Sequence, residues 1–538
     1  MKVFTVAEMV AAEKTADSLG NSYTQMMETA GQRLAQAIIE RFPIQNSRIL
    51  VLVGPGNNGG DGLVAGRYLA EAGADVAFYL SKPRDPAHDD NLARLQQMGI
   101  MPLVAEFDQR YRVLRTRLNI TDIVIDGLLG TGAARPITGD LAQLLKQVKA
   151  GIEERRATSE RQAKLTSLRS VPHPSRTMLP NVVAIDCPSG LNCDTGELDP
   201  LTIPAQLTVT FAGPKRGHFI FPGAAACGEL VVADIGITEE MVSAAKVEVA
   251  TALEVATAVT AQSLLPPRPP DGHKGTFGNV LIAAGSEHYW GAPVLAARAA
   301  YRVGVGLVAL AVPEKIRSVV AAQLPEATYP PVPDKGKFGE ASARFLLENI
   351  AAHKAMLVGP GIDDVPGFWH LLLAAKDSLP PLVVDADGLN LLAQLPDWHK
   401  RLPANSILTP HPGEMARLMG VALSELKRLD RITIAQEKAA EWGQVVLLKG
   451  AYTVVAAADG RCMLLPFANP ALGVAGSGDV LSGLIVGLLG QGMGAWEAAV
   501  LGGYLHGAAG ELYDNSSGLL ASEIADFVPE VRQRLRYI

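Results

Sequence analysis

The 538-residue sequence is poor in cysteine and in charged residues. Its four cysteines (Cys187, Cys193, Cys227 and Cys462) include no C-x-x-C pair, so neither a zinc site nor a disulfide framework is indicated. Charged residues make up only 19% of the chain, and the formal net charge is −7. This balance offers no electrostatic footprint for DNA or RNA, and we expect no nucleic-acid partner. The 48% apolar content allows large cores, and the length predicts two or three domains.

Several common signatures are also missing. The sequence contains no G-x-x-x-x-G-K-[ST], H-E-x-x-H or G-x-S-x-G, so any nucleotide is held without a Walker A loop, and no zinc peptidase or hydrolase is indicated. Glu8, Glu13 and Asp17 lie where a signal peptide needs an apolar core. The most apolar stretch, 480–510, holds nine glycines and a turn-like segment at 491–494, which favours two buried helices over a membrane span. We therefore predict a cytoplasmic protein without membrane contact.

Short β-branched runs alternate with longer helical patterns along the whole chain. Several runs, such as ILVLV at 49–53 and VVAID at 182–186, are apolar on both faces, as are strands of a helix-covered parallel sheet. We therefore predict an α/β fold, with ligands bound at the loops that follow the strands. The predicted strands are 48–53, 75–80, 123–126, 182–186, 207–211, 229–233, 279–284, 307–312, 356–358, 382–385 and 444–448.

The chain breaks into two halves after VVADIGIT at 231–238. The proline-rich LLPPRPP at 264–270 fits neither a helix nor a central strand. We predict domains at residues 1–240 and 246–538. The arginine-rich segment 151–180 is interpreted as a helix extension followed by a surface loop, because long surface insertions are well tolerated. A phosphate-contacting arm is the alternative.

A glycine-rich loop follows the first predicted strand. The segment GPGNNGGDG at 54–62 has five glycines in nine residues and leads into a helical pattern that we expect to begin near Leu63. Glycines let the backbone approach a ligand, and the free N–H groups of a helix start favour phosphate. The loop is not the dinucleotide G-x-G-x-x-G, because Asn57 and Asn58 occupy its spacer positions. It predicts an anion-binding site, with a simple tight turn as the alternative.

Two more strand ends bring carboxylates to the same sheet edge. Asp126 ends the run IVID and precedes a second glycine-rich loop, and Asp186 ends VVAID, with Ser189 just beyond. Either aspartate alone could be a helix cap or a turn former. Together with the asparagine loop they provide hard oxygen donors, which suit hard cations better than zinc.

The three motifs GPGNNGGDG, DGLLGTG and IDCPSGLN, in this order, resemble the NAD(P)H-hydrate epimerase family (the YjeF N-terminal domain) over roughly residues 1–238. The resemblance implies a Rossmann-like three-layer sandwich that binds hydrated NADH or NADPH (NADHX, NADPHX) beside a potassium ion. It implies that Asn58, Asp126 and Ser189 hold K⁺ and that Asp186 contacts the substrate as its acid or base. The other implied substrate contacts are Asn57, Asn58, Gly59, Gly60, Asp61, Gly130, Thr131, Gly132, Ala133, Ala134, Arg135 and Pro136.

The hydrated coenzyme carries a hydroxyl on the carbon next to the ring nitrogen. Its configuration reverses either by loss and return of water or by ring opening and closure. Both routes need a proton-transfer group near the hydroxyl and a fixed ring. The residues leave both routes open.

The second half holds a glycine-rich helix start. In NPALGVAGSGDVLSGLI, Gly473, Gly476 and Gly478 lead into a helix whose first turn holds Asp479. The N–H groups there can bind phosphate, and Asp479 is placed to take a proton from a hydroxyl that attacks phosphorus. Helix capping is the alternative role for Asp479.

Two other residues of this half each have two possible roles. His411, between Pro410 and Pro412, is either a turn residue or a ligand contact. Lys449 follows an apolar strand and either binds a phosphate or is a solvated strand-end lysine.

The motifs HKG, TPHPGE, KGAYT and AGSGD resemble the ADP-dependent NAD(P)H-hydrate dehydratase family over about 246–538. The resemblance implies a ribokinase-like α/β domain in which Asp479 activates the substrate hydroxyl, ADP phosphorylates it, and phosphate then leaves. It implies magnesium, for which no ligand set stands out. The implied hydrate contacts are Ala292, Gly361, His411 and Asp479, and the implied ADP contacts are Lys449, Gly450, Ala451, Tyr452, Thr453 and Gly478.

Both resemblances on one chain predict a bifunctional repair enzyme. One domain interconverts the epimers of NADHX and NADPHX, and the other restores NAD(P)H from one epimer with release of AMP and phosphate. A homo-oligomer is expected. The alternatives are a ribokinase-like small-molecule kinase with an unrelated N-terminal domain, and an N-terminal binding or dimerisation scaffold.

Overall fold

The chain divides into two units, Lys2–Val249 and Ala250–Ile538 together with Met1. The computed structural model describes residues 1–132, 135–162, 179–245 and 253–538. Each unit is built on one sheet, seven-stranded in the first and nine-stranded in the second. No helix in the described ranges combines the length and the apolar character that a bilayer crossing requires.

The first sheet is parallel, with the order β3-β2-β1-β4-β5-β6-β7. Its strands are β1 Arg48–Val53, β2 Asp75–Leu80, β3 Leu103–Val104, β4 Ile123–Gly127, β5 Asn181–Ile185, β6 Leu207–Phe211 and β7 Glu229–Ala233. Its helices are α1 Val6–Ser18, α2 Tyr23–Arg41, α3 Asn57–Glu71, α4 Asp90–Gln97, α5 Arg112–Leu118, α6 Gly139–Gln162, α7 Gly223–Cys227 and α8 Glu239–Ala244.

Residues of β1 alternate between two separate cores, as the two-residue period of a strand requires. Val51 packs into a core with helices α2 and α3, whereas Leu50 and Leu52 pack into a second core with α5 and α6. Because both faces are covered by helices, this unit is the predicted Rossmann-like three-layer sandwich.

The second sheet has the order β10-β9-β11-β12-β13-β14-β15-β16-β8, with antiparallel pairing only of β15 to its two neighbours. The strands are β8 Leu253–Val255, β9 Asn279–Ala283, β10 Leu307–Ala311, β11 Ala355–Val358, β12 Leu382–Val384, β13 Ile407–Leu408, β14 Val445–Leu448, β15 Val454–Ala456 and β16 Cys462–Leu464. The helices are α9 Ala258–Leu264, α10 Gly291–Val303, α11 Glu314–Gln323, α12 Glu340–Asn349, α13 Pro366–Ala374, α14 Asp387–Leu392, α15 Pro412–Met419, α16 Leu423–Leu426, α17 Arg431–Trp442, α18 Ser477–Gly490, α19 Ala495–Glu511 and α20 Ala521–Leu535.

The apolar stretch 480–510 forms two buried helices, as predicted. Helix α18 ends at Gly490 and helix α19 begins at Ala495. Most of their residues are buried in one large core with α10 and α20. The long apolar runs of this domain are therefore buried against neighbouring helices and do not need a membrane.

All predicted strands form, with bounds within one residue of those expected. The additional strands β3, β8, β13, β15 and β16 have two or three residues each, too few to produce a recognisable alternation. Helix α6 extends to Gln162, in keeping with the helix extension proposed for the insert. The predicted loop after it lies largely at 163–178, outside the described residues.

The start expected for helix α3 was wrong. The helix begins at Asn57 rather than near Leu63, so six of the nine residues of the glycine-rich segment belong to the helix. Glycine is required there because a Cβ on Gly59 would lie 2.2 Å from the Gly54 carbonyl oxygen. A loop rich in glycine and asparagine has low helix propensity, and the neighbouring main chain overrides that preference.

Helices α10 and α18 pack so closely that Gly483 cannot carry a side chain. A Cβ at this position would lie 2.2 Å from the Ala296 carbonyl oxygen. We expect Gly483→Ala to lower the free energy of unfolding by about 1–3 kcal/mol, the range for overpacking a tight core. Gly291→Ala is the matched control on the same helix pair, because nothing lies within 4 Å of its Cβ. Denaturant unfolding measures both, and equal stabilities would contradict the packing argument.

Candidate active sites

The first site begins where β4 and β5 end, at Asp126 and Ser189. The Ser189 hydroxyl donates to Asp126 Oδ1 at 2.6 Å, and the Ser189 N–H donates to Asp126 Oδ2 at 2.9 Å. Asn58, in the first turn of α3, donates its amide to the Leu129 carbonyl oxygen at 2.9 Å. Burial raises the pKa of Asp126, against the lowering effect of its bonds from Ser189. The predicted cation ligands therefore belong to one connected group of oxygen donors.

Asp186 belongs to a different group. Its carboxylate oxygen Oδ1 accepts from Lys215 Nζ at 2.5 Å and from the Thr210 hydroxyl at 2.7 Å. Lys215 is only 1% exposed and also donates to Thr210 Oγ1. Burial works to raise the pKa of Asp186, but the ammonium group of Lys215 and the hydrogen bonds outweigh it, and the pKa is lowered. Asp186 is thus held as an anion.

The backbone at Asp186 also marks this residue as unusual. Its φ is +62°, in the left-handed region that aspartate tolerates better than most residues. This turn follows β5 directly and directs the chain into the segment that carries Ser189. The end of β5 therefore positions both Asp186, with Lys215, and Ser189, with Asp126.

A cavity of about 680 Å³ opens beside the glycine-rich turn. Of the predicted substrate contacts, Asn57, Gly60 and Asp61 line it. Asn58 and Asp186 are not part of its described wall, nor is the described part of the second glycine-rich loop, and Ala133 and Ala134 lie outside the described residues. Other residues of the wall are Glu13, Ser22, Tyr23, Thr24, Gln25, Met26, Met27, Glu28, Ala30, Pro55, Gly56, Arg84, His88, Asp89, Asp90, Asn91, Arg94, Phe211 and Ile235.

The second site is a cavity of about 690 Å³ at the start of α18. Gly476 precedes the helix with φ +87°, and the free N–H groups of the first turn follow it. Asp479 lies in this turn and lines the cavity. Burial, and next the charge of Asp385, raise the pKa of Asp479 to about 7. The combination of free N–H groups and a carboxyl group poised near neutrality suits transfer of a phosphoryl group to a hydroxyl.

Lys449 lies beneath the same turn. Its Nζ donates to Asp385 Oδ1 at 2.8 Å and lies 3.4 Å from the position of a Cβ on Gly478. Burial works to lower the pKa of Lys449, but Asp385 and Glu414 raise it overall. Its ammonium group therefore stays charged beside the helix start, rather than in solvent at a strand end.

His411 caps helix α15. Its Nδ1 accepts from the N–H groups of Gly413 at 2.9 Å and Glu414 at 3.3 Å. Burial, followed by the charge of Lys449, lowers the pKa of His411. Because Nδ1 is an acceptor, the neutral ring carries its proton on Nε2. The residue is a structural cap that also borders the cavity.

The remaining predicted residues lie in two locations, one on the wall of this cavity and one outside its described wall. Gly450, Ala451, Thr453 and Gly478 line the cavity with Lys449, whereas Tyr452 does not belong to its described wall. Ala292 and Gly361 lie together beside Tyr289, because a Cβ on Gly361 would lie 3.3 Å from the Cβ of Ala292. They too are outside the described wall of this cavity.

Sequence reasoning missed several residues of both sites. In the first unit these are Glu13, Thr210 and Lys215, and in the second Asp385 and Glu414. Asp385 could have been found, because it is the last residue of a predicted strand, as Asp186 is, and it directly follows β12 in the structure. For Lys215 no local pattern exists, since lysine in a loop is usually exposed.

Together the folds and cavities define a two-domain α/β protein, with a Rossmann-like sandwich in the first half, a largely parallel nine-stranded sheet in the second, and a cavity at a glycine-rich helix start in each. Two family models match the chain: "YjeF-related protein N-terminus" over residues 23–217 and "NAD(P)H-hydrate dehydratase" over residues 280–530. The first match spans strands β1 to β6, and the second spans β10 to β16 and all but the first residue of β9.

Relatives of full length carry the same two halves. A bifunctional NAD(P)H-hydrate repair enzyme of Moorella thermoacetica is 38% identical over 99% of this chain and 97% of its own. One from Salinibacter ruber is 34% identical over 98% and 96%. A solved ADP/ATP-dependent NAD(P)H-hydrate dehydratase of Bacillus subtilis is 32% identical, covering 53% of this chain and 99% of that one with a TM-score of 0.46.

The chain belongs to the family of bifunctional NAD(P)H-hydrate repair enzymes. It is an NAD(P)H-hydrate epimerase joined to an NAD(P)H-hydrate dehydratase. The small-molecule kinase alternative is not favoured, because these relatives match across both halves.

Proposed function

We propose that each cavity holds one step of the repair. The cavity beside α3 binds NADHX or NADPHX for epimerisation, and the cavity at the start of α18 binds ADP and the hydrate for dehydration. The observation that supports this is that each cavity joins a glycine-rich helix start, suited to phosphate, with a buried carboxyl group of the same helix, Asp61 just after the first turn of α3 and Asp479 within the first turn of α18.

In the dehydratase, Asp479 takes the proton of the substrate hydroxyl as that oxygen attacks the terminal phosphorus of ADP. The N–H groups of the helix start and the Lys449 ammonium stabilise the charge on the transferring phosphoryl group. AMP leaves first; phosphate then leaves from the ring while the adjacent ring carbon loses a proton to water, and the double bond forms between these two carbons. Phosphorylation is useful here because phosphate is a much better leaving group than hydroxide.

Helix α17 supports this turn. The Arg431 guanidinium donates to the carbonyl oxygens of Ala451 at 2.8 Å and Lys449 at 3.1 Å. These bonds hold the 449–453 turn that we assign to ADP. Ala292, Gly361 and His411 are assigned to the hydrate.

Potassium would be held by the oxygen atoms of Asn58, Asp126 and Ser189. The donor chemistry fits, because amide, carboxylate and hydroxyl oxygens suit a hard cation, and the Leu129 carbonyl lies in the same group. Bound there, the ion would offset the Asp126 charge and fix the loop of Asn58.

Magnesium would be held chiefly by the phosphates of ADP. In the described part of the chain no three acidic, histidine or cysteine side chains lie close enough together to form a metal site. This agrees with the usual habit of Mg²⁺, which binds through one or two carboxylates plus substrate phosphates.

A recovery assay tests the function. We expect purified full-length protein with ADP and Mg²⁺ to convert a mixture of both NADHX epimers completely to NADH, followed by its absorbance, with equimolar phosphate release. Without ADP we expect epimer exchange only, seen by chromatography. A stable phosphorylated product would favour a kinase, and recovery that stops when one epimer is used up would contradict the epimerase. Native mass and cell fractionation test the expected homo-oligomer and cytoplasmic location.

A further inference from the structure

The carboxyl group of Asp61 is buried at the first cavity and has no hydrogen-bond or ion-pair partner in the described part of the chain. The residue is 9% exposed and is the fifth residue of α3, just after its first turn, on the cavity wall. None of the hydrogen bonds or ion pairs among the described residues involves its carboxyl oxygens. A buried carboxylate without a partner is costly, so the neutral acid is favoured at this position.

Two neighbouring carboxylates strengthen this preference. Burial, then the charge of Asp186, then that of Glu13, raise the pKa of Asp61 well above its usual range. Glu13 comes from α1 and faces the same cavity. Its own pKa is raised by burial and by Asp186, against the opposing effect of Lys215.

The other charged groups of the wall are occupied elsewhere or exposed. Glu28 pairs with Arg67 and Arg94, and Arg84 pairs with Asp89. His88 pairs with Asp85 at the surface, and Asp90 lies in the first turn of α4. Lys215, the cation beside Asp186, is already engaged by that carboxylate.

The surroundings of Asp186 favour the ionised carboxylate, whereas those of Asp61 favour the neutral acid. The bonds from Lys215, Thr210 and the Phe211 N–H all go to Oδ1. No hydrogen bond within the described ranges occupies Oδ2, so one oxygen of a stable anion is available as an acceptor. Asp186 lies behind the cavity wall, where it accepts from the N–H of the wall residue Phe211. The region therefore joins a carboxyl group for which the neutral acid is favoured with one for which the anion is favoured.

We propose that Asp61 is the proton donor of the epimerase, working with ionised Asp186 as the acceptor. The inference rests on the proposed function of this cavity. In the dehydrating route, Asp61 gives its proton to the departing hydroxyl, the C–O bond breaks, and the ring nitrogen lone pair stabilises the cation. Water then adds to the other face and its proton goes to Asp186.

In the ring-opening route the same pair works in a different order. Asp186 takes the hydroxyl proton, the carbonyl forms as the C–N bond breaks, and Asp61 protonates the ring nitrogen. Closure on the other face returns both protons. In the first route a proton passes from Asp186 back to Asp61 through solvent, so both cycles balance without an external reactant.

Asp61→Asn in the full-length protein tests the assignment. We expect kcat for epimer exchange, measured without ADP, to fall by about 10²–10⁴-fold, with KM changed less than about threefold. Glu71→Gln is the matched control on the same helix, because Glu71 is exposed and pairs only loosely with Arg67, at 3.5 Å. A kcat within about threefold of wild type, or a loss carried by KM, would overturn the assignment.

The pH profile separates a catalytic acid from a structural residue. Because Asp61 must carry its proton, we expect the wild-type rate to fall on the alkaline side. Glu13→Gln removes a negative neighbour, so that fall should move to lower pH. An unmoved alkaline limb would overturn the role of the carboxylate cluster.

The same experiments distinguish failure of the proposed epimerase function from failure of the Asp61 assignment. If wild-type protein does not exchange epimers, the epimerase function itself fails. If wild type is active and Asp61→Asn is equally active, only the proton donor is wrongly assigned. ADP-dependent recovery from the dehydratase epimer shows that the second unit is folded, and denaturant unfolding of each variant shows whether the first unit is folded.

Discussion

Replacement of Asp479 by alanine is expected to abolish ADP-dependent dehydration while epimer exchange continues. Asp479 is the carboxyl group in the first turn of α18, beside the N–H groups assigned to phosphate. Loss of a positioned general base lowers a rate by about 10²–10⁴-fold. The measurement is NADH recovery at saturating ADP, with ADP binding followed by calorimetry. Asp377→Ala, at an exposed aspartate of the same domain, is the control.

The Asp479 variant should remain folded. Burial raises the pKa of Asp479 to about 7, so the folded protein binds its proton more tightly than the unfolded chain does. Stability from this group is therefore present at low pH and lost as the pH rises toward 7. We expect Asp479→Asn to unfold at the same or a higher denaturant concentration than wild type at pH 8. Full dehydratase activity in either variant would end the assignment of this base.

The pH dependence of the dehydratase follows from the same shift. A base with a pKa of about 7 is ionised above that value, so kcat/KM is expected to rise through neutral pH. Glu414 also has its pKa raised to about 7, chiefly by burial. Ionisation of both carboxyl groups therefore falls within the pH range of this rise in kcat/KM. In the Asp479→Asn variant, the contribution of Asp479 to the rise should be absent.

Replacement of Asp186 by asparagine is expected to abolish epimerisation and leave the dehydratase active. Asparagine tolerates the left-handed backbone and keeps an acceptor for Thr210, but it cannot receive a proton. We expect at least about a 10²-fold loss of epimer exchange. In the recovery assay, only the epimer that the dehydratase accepts should be restored. Retained exchange would remove Asp186 from the mechanism.

This substitution also leaves Lys215 without its counterion. Removing one partner of a buried ion pair costs about 3–5 kcal/mol, although the hydrogen bond to Thr210 offsets part of this here. The double variant Asp186→Asn with Lys215→Met should recover stability without recovering epimerisation. If activity returned together with stability, the loss would be structural and not catalytic.

Most of the longer strands could be predicted because each contains an apolar run long enough to show the pattern of a buried strand. Residues such as Leu50 and Val51 are buried on opposite faces of the sheet, which leaves a continuous apolar signature. The short strands β13 and β15 leave no such signature, and their positions depend on pairing with distant neighbours. The early start of α3 was missed for a related reason, since contact with the Gly54 carbonyl selects glycine regardless of helix propensity.

The sequence alone determined the two folds, the two glycine-rich helix starts and the carboxylates that follow the strands. These features are local, because periodicity, glycine content and strand-end position act over a few residues. Only the tertiary structure decided which carboxyl group holds a proton. Asp61, Asp186, Glu13 and Lys215 come from separate segments, and their charges depend on burial and on neighbours brought close by folding. The linear sequence shows neither the burial of these groups nor which charges lie next to them.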